Sequence, residues 1–222
     1  MILRPLQPAE AFYRFNTPRW SYRPTSGAGA AIVGGRFNRP GVEALYLSRN
    51  VETASAEYQQ NEPLMPPGML VTYRISLSQV VDFENGYARG EWDELWTDWH
   101  CEWRKLALYE EIEPPSWLLG DIAIEHDSKG ILFPSTRHAG GSNIVVFTQQ
   151  LDERDELSTY DPHGDLPRNQ DSWRGQTKSS LRHRSPAGAT GSEPPEDTPK
   201  PPSSPAAISR SRMARASGDF SR

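Results

Sequence analysis

A single cysteine, Cys101, is present in 222 residues, so no disulfide framework forms within the chain and no thiolate-rich metal centre can be built. Such scarcity suits a reducing compartment. Long apolar runs are missing as well. No stretch approaches the ~18 consecutive apolar residues of a membrane span. The opening Met-Ile-Leu-Arg-Pro-Leu-Gln-Pro has no signal-peptide core. The expectation is a soluble cytoplasmic protein that does not associate with membranes.

Familiar catalytic signatures are also lacking. There is no Gly-x-x-x-x-Gly-Lys-Ser/Thr phosphate loop, and no Gly-x-Gly-x-x-Gly opens a helix after a strand. Gly27-Ala28-Gly29 has neither flank of that fingerprint. The five histidines, His100, His126, His138, His163 and His183, show no paired ligand spacing, so no metal site is expected. Ser135 is not in a Gly-x-Ser-x-Gly elbow. Nuclease, NTPase, dehydrogenase and serine-hydrolase readings therefore have no footing.

Tryptophan and tyrosine run out after Trp173. Residues 174–222 hold ten Ser and seven Pro, and cannot bury enough apolar surface to offset ordering entropy. They also carry nine Lys/Arg against four Asp/Glu, whereas residues 1–173 carry fifteen against twenty-five. The division expected is a folded, acidic body over 1–173 and a disordered, basic Ser/Pro/Arg-rich tail over 174–222. An acidic body argues against direct nucleic-acid binding. The tail reads as a solvated segment, with an acidic partner or non-specific nucleic-acid contact as the alternatives.

Strands are expected over 10–15, 44–48, 69–75 with an extension at 80–83, 130–135 and 143–147, and a helix over 51–60 capped by Ser48 or Asn50. Residues 16–35, rich in Pro and Gly, read as loop. Trp92, Leu95, Trp96, Trp99, Trp103 and Leu106 recur at helical spacing and predict a helix over 91–109, its aromatic stripe serving as core or partner interface. Residues 118–124 stay ambiguous between a helix end and a strand. Short strands interleaved irregularly with helices point to an α+β fold with a bent or split mixed sheet flanked by helices.

The residues left to carry chemistry cluster around one turn. Gly34-Gly35 allows positive φ and close backbone approach. Arg36 can hold a phosphate or carboxylate through its bidentate fork. Phe37 and Asn38 add an apolar surface and an amide, Tyr46 follows on a strand, and Glu57 lies on the next helix among small residues. Arginine, an aromatic ring and a carboxylate suit a substrate with a diphosphate, a flat ring and a developing positive charge. NAD cleaved at its nicotinamide–ribosyl bond is such a substrate, because a fixed carboxylate stabilises an oxocarbenium-like transition state.

The order of residues resembles a known family. Phe12-Tyr13-Arg14, Gly34-Gly35-Arg36-Phe37-Asn38, Pro40-Gly41, Ala44-Leu45-Tyr46-Leu47-Ser48 and Thr53-Ala54-x-x-Glu57 are similar to the front half of RES domains. Gly130-Ile131-Leu132-Phe133-Pro134-Ser135, Gly140-Gly141-Ser142-Asn143-Ile144-Val145-Val146-Phe147 and Asp161-Pro162-x-Gly164-x-Leu166-Pro167 are similar to the back half. The resemblance spans roughly residues 8–170. It implies a fold like that of ADP-ribosyltransferases and a toxin of a bacterial toxin–antitoxin pair, bound by an Xre-type helix-turn-helix antitoxin in a hetero-oligomer. It further implies NAD as substrate, with no bound cofactor, consumed by hydrolysis or by phosphorolysis with inorganic phosphate as co-substrate. By matching position, Glu57, Arg36 and Tyr46 are the implied catalytic residues. Arg14, Gly35, Asn38, Ser135 and Asn143 are the implied substrate-binding ones, Arg14 and Arg36 taking the phosphates.

Plainer readings stand beside these. Tyr46 also reads as core, Ser135 as a turn or cap residue, and Asn143 as a turn former. Arg19 or Arg23 can replace Arg14 as phosphate ligand. Two other functions compete: transfer of ADP-ribose to a specific protein, and a non-catalytic interaction module using the Trp-rich segment and the tail.

Overall fold

The computed structural model describes residues 1–7, 10–60 and 62–171. The expected tail over 174–222, and Trp173 at the end of the expected body, lie outside the described residues. Side-chain alternation dictates the architecture. On β3 (Ala44–Ser48) and β6 (Ser142–Phe147), nearly every residue is buried, so both faces of these strands are covered. Leu45, Leu47, Ile144 and Val146 point into one core cluster with Phe12, Tyr73 and Ile75. Ala44, Val145 and Phe147 point into a second with Phe37, Phe83, Trp92, Trp96 and Leu119. This is the period-2 arrangement of a strand between two layers.

Seven strands among the described residues form one sheet: β1 (Leu3–Leu6), β2 (Ala11–Asn16), β3, β4 (Met69–Asp82), β5 (Gly130–Pro134), β6 and β7 (Glu156–Thr159). The order is β1-β4-β2-β3-β6-β5, with β7 also on β4. The long strand β4 pairs with β2 and β7 in its first half and with β1 in its second. At its end, Val81 and Asp82 meet Ile131 and Leu132 of β5 in parallel. The sheet is therefore bent until β4 closes a ring through β2, β3, β6 and β5. Every other pairing is antiparallel, so the sheet is mixed, and the α+β expectation with a bent sheet holds.

Helices cover the outside. In the segment expected as loop, residues 16–35, a 3-10 turn occupies Pro18–Trp20 and a short helix α1 spans Ala28–Val33. Asn50 caps α2 (Val51–Gln59) by accepting from the Thr53 N–H. The ambiguous stretch 118–124 belongs to α4 (Pro115–Glu125), opened by Pro115, whose missing N–H costs nothing in a first turn.

The helix expected over 91–109 is not continuous. A 3-10 helix covers Glu94–His100, then α3 (Trp103–Lys105) follows, then a π turn over Leu106–Glu110. Cys101 is extended between the first two. Packing explains the break. Phe83 meets Trp92, Trp96 and Trp99 with ring centroids 4.7, 4.8 and 5.6 Å away. The three-residue step from Trp96 to Trp99 fits the tighter 3-10 turn, in which residues i and i+3 eclipse. Burying each of these rings is worth about 1.5–3 kcal/mol, more than the helical propensity it overrides. Of the stripe expected as core or partner interface, Trp92, Trp96 and Trp103 are buried, whereas Leu95 is exposed. No helix among the described residues is long and apolar enough to cross a membrane.

Candidate active site

Strand register places the first polar pair. Ser48 faces Asn143 across β3 and β6, and its hydroxyl donates to Asn143 Oδ1 at 2.7 Å. That bond fixes which way the Asn143 amide points. Its Nδ2 then donates to Glu57 Oε1 at 2.7 Å. Ser135, one residue past β5, donates its hydroxyl to the same oxygen at 2.8 Å. Glu57 Oε2 accepts no hydrogen bond from a described residue, and the carboxylate lines an open cavity of about 790 Å3.

The Ser135 hydroxyl also accepts from the N–H groups of Arg137 and His138 at 3.1 and 3.0 Å. It is thus both the turn residue and the orienting partner of Glu57. One turn before Glu57 on α2, the buried Thr53 shares a 2.8 Å hydrogen bond with His138 Nδ1. This ties the loop after β5 to the helix that carries the carboxylate.

The glycine turn forms the opposite wall. Gly34 has φ +82°, a left-handed value that only glycine adopts without strain. A Cβ on Gly35 would lie 2.5 Å from both Asn38 Oδ1 and the Tyr46 hydroxyl. The turn is locked from three directions. Trp117 of α4 donates its indole N–H to the Gly35 carbonyl at 2.7 Å. The Tyr46 hydroxyl donates to Asn38 Oδ1 at 2.8 Å and accepts from the Phe37 N–H at 3.0 Å. Asn38 Nδ2 donates to the carbonyls of Ala30, Arg39 and Val42.

These bonds revise two expectations. Asn38 is buried and fully engaged with backbone carbonyls and the Tyr46 hydroxyl, so it holds the turn and does not stand on the cavity wall. Tyr46 lines the cavity with its ring, but its hydroxyl is committed to the turn. Burial drives its pKa well above the usual tyrosine value, against the opposing effect of the Phe37 N–H and the Arg36 charge. It stays a neutral phenol, packed edge-on to Phe133, and serves as a positioning residue.

Arg36 leaves the turn with its guanidinium donating to the carbonyls of Trp99 and Cys101, both at 3.1 Å, and to Thr136 Oγ1 at 3.4 Å. The Trp-rich segment therefore orients this arginine, which no sequence spacing signalled. Burial lowers the pKa of Arg36, while Cys101, Tyr46 and Glu57 favour its charge. Arg14, on β2, is lowered by burial with Tyr73 opposing. It makes no hydrogen bond or ion pair with a described residue. A guanidinium remains protonated under both conditions, so each presents positive charge to the cavity. Of the alternatives to Arg14, Arg23 lies on the wall and Arg19 does not.

The cavity thus gathers Arg14, Gly35, Arg36, Tyr46, Glu57 and Asn143, with Ser135 attached through Glu57. It also gathers Trp103, which the sequence marked only as part of the aromatic stripe, and Arg104 and Arg137, which it did not single out. A cavity that joins an oriented carboxylate to half-buried cations can bind an anionic ligand and stabilise positive charge formed between them.

The model of the family described as RES domain matches residues 11–169. No curated protein matches the chain. Among solved structures, the chain is similar to one in the crystal structure of the M. tuberculosis MbcT–MbcA toxin–antitoxin complex. Identity is 20%, TM-score 0.48, and the match covers 71% of this chain and 84% of that one.

Proposed function

The chain belongs to the RES domain family, and from that premise we propose that it is the toxin of a bacterial toxin–antitoxin pair that depletes cytoplasmic NAD. One observation carries the reading: the Glu57 carboxylate, held on one oxygen by Ser135 and Asn143, lines a cavity that half-buried arginines also line. In this reading Arg14 and Arg36 take the dinucleotide diphosphate by charge-assisted hydrogen bonds. The second Glu57 oxygen stabilises the cationic ribosyl carbon as the glycosidic bond stretches.

The atoms balance without a redox partner. An acceptor oxygen forms a bond to the ribosyl carbon. The carbon–nitrogen pair passes to the pyridinium ring, and nicotinamide leaves neutral. The acceptor proton goes to solvent. The fold expected for this chemistry is that of ADP-ribosyltransferases. The acceptor is water, phosphate or a protein side chain, and the cellular partner is an Xre-type helix-turn-helix antitoxin that silences the site.

The test is incubation of the purified chain with NAD, with and without phosphate, followed by identification of the adenine-containing product. Free ADP-ribose marks hydrolysis, its 1″-phosphate marks phosphorolysis, and a labelled band in lysate marks protein modification. Failure to release nicotinamide under any of these conditions at high enzyme concentration would refute the reading.

A further inference from the structure

Two arginines and three carboxylates meet where β3 ends and β6 begins, and the proposed chemistry uses none of them. Glu84 stands two residues past β4. Its Oε1 accepts from Arg49 Nε and from the Ser142 hydroxyl, both at 2.7 Å. Arg49 also pairs with Glu10, just ahead of β2, and its guanidinium lies 5.2 Å from the centre of the buried Phe12 ring. Arg4 of β1 donates to Asp82 at 2.7 Å and lies 3.6 Å from Glu84 and 3.8 Å from Glu10. Arg4, Glu10, Arg49, Asp82 and Glu84 are all half-buried. Burial alone would push the Glu84 carboxyl up. The Ser142 hydroxyl and the charges of Arg49 and Arg4 outweigh it and hold the group below the usual carboxylate range.

Ion pairs this accessible stabilise a fold little. Placement is what sets these apart. Arg49 and Ser142 are the chain neighbours of Ser48 and Asn143, and the Arg49 N–H donates to the Ser142 carbonyl at 2.9 Å. Ser48 in turn donates to Asn143, and Asn143 to Glu57. On its other side Arg49 precedes Asn50, the cap of the helix that carries Glu57. One residue therefore adjoins both the strand pair that sets the Asn143 amide and the helix that bears its acceptor. Glu84 holds that residue and the Ser142 hydroxyl on a single oxygen.

We propose that Arg49 and Glu84 are positioning residues for Glu57: their ion pair, anchored to Ser142, fixes the ends of β3 and β6 and the start of α2 so that Asn143 Nδ2 meets Glu57 Oε1. Its effect on turnover rests on the NAD-cleaving reading; its effect on the Asn143–Glu57 bond does not.

NMR of the 15N-labelled full chain reads that bond without turnover. The Asn143 side-chain amide, assigned by its loss in N143D, should show one proton shifted downfield by the charged acceptor. E57Q should reduce the shift, and in R49Q and E84Q the proton should move toward its E57Q position. In R4Q, which weakens the same network but leaves Arg49, Glu84 and Ser142 in place, it should stay. An unmoved proton in R49Q and E84Q, or an equal move in R4Q, overturns the proposal. E84Q decides the matter if R49Q fails to fold, because it keeps the shape and removes only the charge. Turnover reads the consequence. For nicotinamide release, kcat should fall about 10–10²-fold in R49Q and E84Q, the cost of a small misplacement of a reacting group. KM should stay near wild type, because Arg14 and Arg36 lie outside the network, and R4Q should keep its kcat. Equal kcat losses in R4Q, or a raised KM with kcat unchanged, also overturn the proposal. A wild-type chain whose amide behaves as expected yet releases no nicotinamide refutes NAD cleavage and leaves the positioning role standing.

Discussion

Asn143 and Glu57 meet through one hydrogen bond, 2.7 Å from Nδ2 to Oε1, and that bond with the one from Ser135 makes the carboxylate an oriented group on the cavity wall. Glu57→Gln removes the charge and keeps the shape. Nicotinamide release should fall about 10²–10³-fold, the range for losing one preorganised electrostatic group. Melting temperature should stay near wild type. Residual activity above roughly a tenth of wild type would rule out Glu57 as the stabilising carboxylate.

Trp117 lies behind the turn and touches it through the Gly35 carbonyl. Trp117→Phe keeps an aromatic ring but leaves that buried acceptor without its donor, a loss of about 1–3 kcal/mol. Thermal stability should drop, and KM for NAD should rise because the Arg36 turn loosens. Unchanged stability together with unchanged KM would show that the indole bond does not hold the turn.

Tyr46 gives a pH signature. Its folded pKa is raised by burial above the unfolded value of about 10. The folded state therefore binds more protons than the unfolded state above that pH, and stability declines as pH rises. Tyr73, also raised by burial, adds to the same slope. Tyr46→Phe should cost about 1–3 kcal/mol at pH 7, because the Asn38 and Phe37 partners lose the hydroxyl, and should flatten the alkaline decline. Denaturation curves from about pH 7 to pH 11 check both. An alkaline slope as steep as wild type would contradict the assignment.

Thr53 and His138 are predicted to act as a unit. Each holds the loop that carries Ser135 against α2. A double-mutant cycle with Thr53→Val and His138→Ala should return a coupling energy of about 0.5–3 kcal/mol in stability. The double variant should lose no more NAD turnover than the worse single one. Fully additive losses would mean that the two residues act separately.

Legibility followed local patterning. Strands β3, β5 and β6 are unbroken apolar runs bounded by Gly, Pro or polar residues, and the structure places them within a residue of expectation. The Asn50 cap fixed the start of α2 in both. Strands β1 and β7 were missed, because Leu3–Leu6 contains Arg4 and Pro5 and Glu156–Thr159 has one apolar residue, Leu157. Their pairing comes from β4, not from their own pattern. The Trp-rich segment was misread because side-chain spacing reports which residues are buried, not whether the backbone between them stays α-helical.

The site divides the same way. Gly35, Arg36, Tyr46 and Glu57 lie close together in sequence and were legible as one group. What each hydroxyl and amide does was not, since Ser135 and Asn143 depend on register across the ring. Arg104 and Arg137 form no motif at all. Only the packing of Trp103 and the loop after β5 bring them to the same wall.

The ring closed through β4 has a consequence for how the protein is made. The donors to Glu57 lie 78 and 86 residues further along the chain. A ribosome adding about 5–20 residues per second takes roughly 4–17 s to travel from the carboxylate to Asn143. During that interval the growing polypeptide has neither a seated Glu57 nor a finished cavity wall. On the proposed reading, the nascent chain cannot act on NAD until the last strands of the ring have emerged and docked.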